Sequence, residues 1–329
     1  MKTAFSLTLL AALALIAASL SVGGSNVGMT ELGAWITGQS LDEAALYILT
    51  DVRLPRTMAC LVVGCGLGLS GALLQTLLKN PLAEPYTLGL SGGATLGAVL
   101  AILLRLQPAW LLIPFSAVGG CLLVTFFILK IAWRNTFYSQ RTLILCGVMT
   151  SLFCGSLVVL LMTLFDPYQI QSSFFWMLGQ MGSDRDRWWP LLLALLIGST
   201  IWCLRSSADL DRLLLGEDIA ASLGTKLAPL RISLIVIVAL LCAMSVSISG
   251  LIGFVGLLAP HLALLLGPRQ HRWHLPFSAL MGGSFLLAAD ILARAIGGER
   301  EIPAGGIVAL FGAPILVVLM LRWERHARA

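Results

Sequence analysis

Long apolar runs separated by short polar stretches fill this chain from end to end. Each run approaches 20 residues, which as a helix crosses a hydrocarbon core of about 30 Å. The runs predict ten spans, at residues 4–22, 54–78, 86–104, 109–130, 142–165, 188–204, 229–248, 251–268, 276–293 and 304–321. The pattern therefore predicts an all-α polytopic membrane protein with about ten transmembrane helices.

Composition supports this class and narrows the chemistry. Of 329 residues, 58% are hydrophobic and only 11% are charged. The seven cysteines all lie in apolar runs without a Cys-x-x-Cys pair, so we expect neither a metal site nor a disulfide scaffold. The expected surroundings are membrane lipid, with no role for nucleic acid.

The distribution of basic residues predicts the orientation. Ten spans put both termini on one side, and that side collects about two thirds of the Lys and Arg residues, as cytoplasmic segments do. We therefore expect a multi-pass protein of the bacterial inner membrane with both termini in the cytoplasm. One alternative is that residues 1–23 are a cleaved signal peptide, which would leave nine spans.

The segment from Arg53 to Gly93 is apolar but contains Arg, Gly, Asn, Gln and Pro. Polar groups at bilayer depth are expensive, about 2.5–3.5 kcal/mol for a central Arg, so they usually line a protein-filled or water-filled path. The prolines Pro81 and Pro85 predict that the helix ends near Asn80. The segment indicates transport machinery rather than a simple anchor.

Three arginines fall on the predicted outer side, where basic residues are least expected. Arg53 and Arg56 flank Leu54-Pro55, and Arg294 ends the ninth predicted span. Guanidinium groups suit carboxylates, so this group could dock an acidic partner. The alternatives are local ion pairs, with Asp51 for Arg53 and with Asp290 for Arg294.

Residues 206–225 form the longest polar stretch on the predicted inner side, yet they keep an apolar stripe. We interpret them as two short amphipathic helices joined at Gly216, with Glu217 and Asp218 at a helix start and Gly224 at a helix end. An ordinary loop needs no such stripe. The segment therefore favours contact with a cytoplasmic protein.

Seven motifs spread over nearly the whole chain are similar to one family. They are RLPR at 53–56, SGALLQTLLKNPLAEPYTLGLSGG at 70–93, WMLG at 176–179, LLLGEDIAASLG at 213–224, GFVGLLAPH at 253–261, AADILAR at 288–294 and EIPAGGIVALFGAPIL at 301–316. Together they resemble the FecCD/BtuC-type permease subunits of ABC importers for ferric siderophores, haem and vitamin B12. Lys79 and Glu84 depart slightly from the family, which commonly has Arg and Asp there.

The resemblance implies a single permease domain over residues 1–329, a homodimer with the substrate path on its axis, and residues with assigned parts. Binding-protein docking would use Arg53, Arg56 and Arg294. Coupling to the ATPase would use Leu213, Leu214, Leu215, Gly216, Glu217, Asp218, Ala220, Ala221, Leu223 and Gly224. The cytoplasmic gate would lie near Ser139, Gln140, Arg141 and Thr142, and the structural motif residues would be Ser70, Gly71, Gln75, Asn80, Pro81, Pro85, Pro260, His261 and Pro303.

The expected partners are a second copy, cytoplasmic ABC ATPase subunits and a periplasmic binding protein. No G-x-x-x-x-G-K-[ST] phosphate loop occurs, so ATP and Mg²⁺ would bind a partner, and this chain would carry no cofactor and no enzymatic activity. Two alternatives remain. A rhomboid-like serine protease would use Ser91 and His261, and an ion-coupled secondary transporter would use a mid-span acid such as Asp290.

Overall fold

The structure is a computed structural model that describes residues 2–23, 27–134, 140–182, 184–267, 269–298 and 302–328. Helices dominate these ranges, and no strand occurs within them. The α-helices are α1 (Lys2–Ser21), α2 (Met29–Ile36), α3 (Glu43–Tyr47), α4 (Leu54–Leu78), α5 (Leu90–Leu103), α6 (Ala109–Arg134), α7 (Gln140–Met162), α8 (Pro167–Met177), α9 (Trp189–Arg205), α10 (Ser207–Leu215), α11 (Glu217–Ser222), α12 (Leu227–Ser249), α13 (Val255–Leu266), α14 (His271–Gly297) and α15 (Ala304–Arg328). A π-helical turn, Ile48–Arg53, precedes α4, and 3₁₀ turns cover Pro85–Leu88 and Asp184–Trp188.

The prediction of an all-α membrane protein is confirmed. Within the described ranges, six segments are long and apolar enough to cross a membrane: Glu43–Leu78, Ala109–Lys130, Thr142–Met162, Asp184–Arg205, Leu227–Ser249 and His271–Gly297. Four shorter apolar helices are Phe5–Ser21, Leu90–Leu103, Val255–Leu266 and Ala304–Leu319. Each of these segments overlaps one of the ten predicted spans, although several bounds differ by a few residues.

Helix α4 lies at the centre of the bundle. Of its most apolar window, 83% is buried, whereas the equivalent windows in α7 and α9 are each 22% buried. It packs on α14 along the small residues Gly64 and Gly68, where an added Cβ would overlap the carbonyl oxygens of Gly282 and Ser278. Small residues permit such close backbone approach in membranes, where the hydrophobic effect does not drive helix association.

One predicted helix begins later than expected. The span predicted over residues 251–268 is helical only from Val255. Helix α12 ends at Ser249, Gly250 follows with a φ of 71°, and the chain then runs irregularly. The Tyr86 hydroxyl accepts a hydrogen bond from the Ile252 N–H (3.0 Å) and donates to its carbonyl (2.9 Å). The Glu84 carboxylate accepts from the Phe254 N–H at 2.7 Å. These side chains satisfy backbone groups that a continuous helix would have paired internally.

Three motifs that are distant in sequence meet through their backbones. The Gly305 N–H donates to the Gly179 carbonyl at 3.1 Å, and a Cβ on Gly179 would overlap the carbonyl oxygen of Leu251. The WMLG segment, the irregular turn after α12 and the start of α15 therefore pack without side chains between them. This contact explains why glycine occurs in all three segments.

Candidate functional site

Arg53 connects the π-helical turn to the end of α1. Its side chain is buried, with 4% of the residue exposed, and Nη1 donates to the carbonyls of Leu20 (2.6 Å) and Val27 (2.8 Å). The last carbonyls of a helix have no partner within the helix, and a cation near them is favourable. Arg53 therefore acts in part as a cap for α1.

Arg294 holds the same end of α1 from α14. Its Nη1 donates to the carbonyls of Ser19 (2.9 Å) and Val22 (2.7 Å), and its Nη2 donates to the Ser19 hydroxyl at 2.7 Å. Sequence reasoning did not anticipate this capping by two distant arginines. The only sequence feature pointing to it is that the last turn of α1 carries no basic residue of its own.

Asp290 joins two of these arginines. Arg56 donates to its Oδ1 from Nη2 (2.9 Å) and Nε (3.1 Å), and Arg294 Nε forms an ion pair with Oδ2 at 2.9 Å. The Asp290 side chain is fully buried, and the side chains of Arg56 and Arg294 are each 12% exposed. The i to i+4 pair between Asp290 and Arg294 is thus confirmed, while Asp51 accepts a hydrogen bond from Thr50.

We call Arg53, Arg56 and Arg294 the arginine cluster. A second buried acid, Asp186, lies beside this cluster. Asp186 accepts a hydrogen bond from the Gly182 N–H at 2.7 Å, and the Arg56 guanidinium packs against Gly182. Sequence analysis did not select this residue. The alternation of acids and arginines in residues 184–187 is the pattern that could have found it.

The opposite end of the molecule carries α10 and α11, and here the predicted pair of short helices is confirmed. They are joined at Gly216, whose φ of 128° is a conformation that other residues rarely adopt. The side chains of Leu214, Leu215, Ile219 and Leu223 are exposed by 49%, 62%, 49% and 52%. They form an apolar surface that we call the α10–α11 patch.

The remaining predicted coupling residues differ in how exposed they are to solvent. Leu213 and Ala220 are buried and fix the two short helices to the bundle. Glu217 is half-buried and pairs with Arg231 of α12, whereas Asp218, Ala221 and Gly224 are exposed.

Helix α10 is tied to the bundle by a polar contact between the partly exposed Asp211 and the buried His271. Asp211 Oδ1 accepts from the main-chain N–H of His271 (3.1 Å) and contacts its ring Nδ1 (2.6 Å). The other ring nitrogen, Nε2, lies 2.8 Å from the Thr76 hydroxyl of α4. His271 and Thr76 are 1% and 6% exposed. With His261 and His274 they line a cavity of about 720 Å³ beside Leu214.

The predicted gate residues belong to the start of α7. Ser139 lies outside the described residues. Gln140 and Arg141 are the first two residues of α7, and their side chains are not among those described. Thr142 is half-buried. Beyond it, α7 exposes a long apolar face that includes Leu145, Met149, Leu152, Phe153 and Leu160.

The structural motif residues pack around the irregular segments. Ser70 donates to the Leu67 carbonyl (2.9 Å) inside α4, and Gly71 fits against the carbonyl of Gly256. Asn80 accepts a hydrogen bond from the Leu82 N–H at 2.9 Å. The prolines mark helix boundaries or interruptions: Pro81 follows α4, Pro85 begins a 3₁₀ turn, Pro260 lies within α13 and Pro303 precedes α15.

Gln75 and His261, also in the predicted structural set, meet at one carbonyl. Gln75 Nε2 donates to the Leu257 oxygen at 3.4 Å, and His261 Nδ1 lies 2.7 Å from the same atom. His261 is 2% exposed, and Ser91 lies in the first turn of α5, outside the set of residues that line the His261 cavity.

Sequence analysis treated Glu84 only as a small departure from the family, but in the structure its carboxyl group has an unusual pKa. Burial raises the pKa of its carboxyl to about 7, and the hydrogen bond from the Phe254 N–H opposes part of this rise. An ionisable group with a pKa near neutrality therefore lies beside the interruption between α12 and α13.

A bundle with ten apolar helices, arginines buried at one end and an exposed pair of amphipathic helices at the other defines a polytopic membrane permease. The sequence profile of the FecCD transport family matches residues 9–322. The chain belongs to this FecCD transport family.

Relatives and solved structures agree with this assignment. The vitamin B12 import system permease protein BtuC of Klebsiella pneumoniae is 38% identical over 292 residues, covering 88% of this chain and 87% of that protein. BtuC of Salmonella typhimurium is also 38% identical, over 295 residues, with 88% and 89% covered. A metal-chelate-type ABC transporter solved in an inward-facing conformation superposes with a TM-score of 0.83 at 30% identity, covering 97% and 98% of the two chains. These likenesses favour a permease over the protease and secondary-transporter alternatives.

Proposed function

We propose that this chain is the membrane subunit of an ABC importer that moves a large chelate across the bacterial inner membrane. The observation that carries the proposal is the α10–α11 patch. Four large apolar side chains, each about half exposed, lie on two helices attached to the bundle by buried anchors. An exposed apolar surface of this kind marks a protein contact. The expected occupant is a separate ATPase subunit, since this sequence lacks a phosphate-binding loop.

Vitamin B12 is the first candidate substrate, because 38% identity to BtuC proteins extends over 88% of the chain. A ferric siderophore or haem is the second, favoured by the likeness to a metal-chelate-type transporter. Either compound would pass without covalent chemistry in this subunit. ATP and Mg²⁺ would act only in the partner.

The proposed assembly is a homodimer of one-domain permeases, each comprising residues 1–329, with the path between the two copies. The exposed apolar faces of α7 supply surface for a second copy and for lipid. The start of α7, from Ser139 to Thr142, would lie near the cytoplasmic gate. Both termini and the α10–α11 patch would be cytoplasmic, as the distribution of basic residues favours.

The arginine cluster would then face the periplasm and receive an acidic binding protein. Its guanidinium groups already bind the end of α1 and Asp290. Docking carboxylates would therefore add to these contacts, or replace the carbonyls of the α1–α2 connection. Such replacement would make docking sensitive to the conformation of that connection.

The first test is purification of the tagged chain in mild detergent with whatever ATPase accompanies it. The purified complex is reconstituted in liposomes with ATP inside, and uptake of cobalt-57 cyanocobalamin, iron-55 siderophore or iron-55 haem is measured in the presence of the cognate binding protein. ATP-dependent accumulation of one of the three supports the proposal and names the substrate. A chain that purifies folded but without an ATPase contradicts it.

Docking is tested by charge exchange, because a single reversal also disturbs the internal contacts. Arg56→Glu is expected to abolish binding of the binding protein to nanodiscs that hold the permease. Reversal of the contacting Glu in the binding protein to Arg should restore binding if the contact is direct. Failure of every such reversal to restore binding would refute docking at Arg56.

A further inference from the structure

Helices α4 and α14 connect the two ends of the molecule. Helix α4 has 25 residues and α14 has 27, so each extends about 40 Å at 1.5 Å per residue. They run antiparallel, since α4 begins beside Asp290 of α14 and ends beside His271. Each helix therefore spans from the arginine cluster to the α10–α11 segment.

Polar links join this α4–α14 pair at both ends. At one end, Arg56 in the first turn of α4 holds Asp290 near the end of α14, with Nη2 2.9 Å from Oδ1. At the other end, Thr76 in the last turn of α4 lies 2.8 Å from Nε2 of His271, the first residue of α14. Buried polar contacts of this kind are costly to break because the freed groups cannot reach water.

The middle of the pair leaves no room for the two helices to slide. Gly64 packs on Gly282, and Gly68 packs on Ser278, with backbone atoms where a Cβ would otherwise lie. Closely packed backbones resist small displacements, because interiors are dense and respond in discrete rearrangements. Close contacts of this kind favour movement of the two helices together.

Only one of the two end links reaches the coupling segment. Asp211 of α10 contacts both the main-chain N–H and the ring Nδ1 of His271, and His271 in turn contacts Thr76. The carboxylate of Asp211 accepts from Nδ1, so Nε2 of the neutral ring accepts from the Thr76 hydroxyl. The single hydroxyl hydrogen of Thr76 is shared between this nitrogen and the Ala72 carbonyl, which lies 2.9 Å away. The hydrogen-bond chain Asp211–His271–Thr76 thus attaches α10 to α14 and α4 simultaneously.

We propose that His271 is a positioning residue that carries movement of α10 to the α4–α14 pair, and through that pair to the arginine cluster. The inference rests on the proposed function, since it requires an ATPase that moves the α10–α11 segment. Movement of α10 would pull on the start of α14. The Thr76 contact makes α4 follow, so that the distant ends of both helices move as one.

A purely structural role for His271 makes a different prediction. Asp211 already satisfies the first N–H of α14 as a helix cap, and that capping does not involve Thr76. Loss of the Thr76 hydroxyl therefore separates the two roles. Thr76→Val removes it with little change in shape, and Thr76→Ser retains it.

A second variant addresses the same link from the other side. In His271→Asn, the side-chain amide can occupy the position of Nδ1 and donate to Asp211, but it is too short to reach Thr76. The matched control is Thr125→Val. Thr125 is also buried and bonds to the carbonyl four residues earlier in its own helix, as Thr76 does.

The experiment uses the full permease–ATPase complex in lipid nanodiscs. A nitroxide is attached to a ketone-bearing amino acid at Ile296, an exposed position in the last turn of α14, so that the native cysteines are retained. The distance between the labels of the two copies is measured by pulsed electron paramagnetic resonance, without nucleotide and with ATP, Mg²⁺ and vanadate. ATP hydrolysis is measured on the same samples.

We expect a nucleotide-dependent shift of the Ile296 distance in the wild type, Thr76→Ser and Thr125→Val. Thr76→Val and His271→Asn should lose this shift while ATP hydrolysis continues. A wild-type shift in both of these variants would overturn the role of His271 and leave the proposed function intact. Lack of any shift in the wild type while ATP hydrolysis continues would overturn the joint movement of α4 and α14 and leave the proposed function intact. Lack of ATP hydrolysis in the wild-type complex would contradict the proposed function.

Discussion

The guanidinium of Arg56 donates two hydrogen bonds to Oδ1 of Asp290, from Nη2 at 2.9 Å and from Nε at 3.1 Å. The two residues are 234 positions apart in the sequence. Arg294 contacts the second oxygen of the same carboxylate. One buried acid therefore balances two arginines and joins the first turn of α4 to the end of α14. Such a contact makes the acid more important for stability than any exposed ion pair of this chain.

Asp290→Asn should strongly destabilise the protein, because the neutral amide removes the charge that Asp290 supplies to two buried guanidinium groups. The expected loss is about 3–5 kcal/mol, the usual range when one partner of a buried pair is removed. The measurement is unfolding in detergent followed by tryptophan fluorescence. Asp166→Asn is the control, since its pair with Arg105 is about 70% exposed, and it should change little. Equal effects of the two substitutions would show that the buried pair contributes no more to the free energy of unfolding than the exposed pair does.

Leu215→Asp should prevent the ATPase from co-purifying, because a carboxylate in the α10–α11 patch cannot be buried in an apolar contact without a large desolvation cost. Leu215 is 62% exposed, so folding should be unaffected. Leu104→Asp is the matched control, at 61% exposed and outside this segment. The readout is the molar ratio of ATPase to permease after affinity purification. An unchanged ratio in Leu215→Asp would exclude this surface as the ATPase contact.

Glu84 should make stability depend on pH between about 4.5 and 7. Its pKa is about 7 in the folded protein and 4.5 as the ordinary value, so the native state holds the proton more tightly. A raised folded pKa contributes stability below the unfolded pKa, and that contribution is lost as pH rises through the folded value. The loss amounts to about 3 kcal/mol at 1.36 kcal/mol for each unit of pKa.

Glu84→Gln should remove this dependence, since the amide oxygen still accepts from the Phe254 N–H and carries no charge. The melting temperature of the variant relative to the wild type should therefore rise between about pH 4.5 and pH 7 and level off above pH 7. Glu43→Gln, which changes an exposed carboxylate at the start of α3, should follow the wild type. Parallel profiles for Glu84→Gln and the wild type would contradict the burial of a titrating Glu84.

Gly71→Ala should reduce the yield of folded protein, because the new Cβ would overlap the carbonyl oxygen of Gly256 in α13. Neither backbone can retreat without disturbing α4, the most buried helix. Gly198→Ala in α9 has open space around the new methyl and should stabilise by about 0.5–1 kcal/mol through helix propensity. Size-exclusion profiles and melting temperatures measure both effects. A monodisperse Gly71→Ala protein of wild-type stability would contradict the close contact.

Local features were predictable from the sequence where a residue pattern has one physical solution. Apolar runs of membrane-spanning length predicted the ten apolar helical segments. Pro81 and Pro85 predicted the interruption after α4, and Gly216 predicted the joint between α10 and α11. The start of α13 was predicted too early. Residues 250–254 are apolar like a helix, yet Tyr86 and Glu84 supply their hydrogen bonds from another segment.

The arginine cluster shows the same limit at the site. The sequence indicated that Arg53, Arg56 and Arg294 were unusual, and it offered both a docking role and a pair with Asp290. It did not indicate that two of these arginines cap α1, since the partners are main-chain carbonyls that every residue possesses. The link from Asp211 through His271 to Thr76 escaped notice for a related reason. Its members lie far apart in sequence and belong to no recognisable motif.

The amino-acid sequence alone determined that this protein is a helical membrane permease of the FecCD type with an amphipathic segment on one side. Hydrophobic length, proline and glycine positions and motif spacing are properties of neighbouring residues, so they can be recognised without a fold. Only the tertiary structure decided which polar groups meet inside the bundle. In a low-dielectric interior each buried polar group needs a partner, and distant helices supply that partner once they have packed.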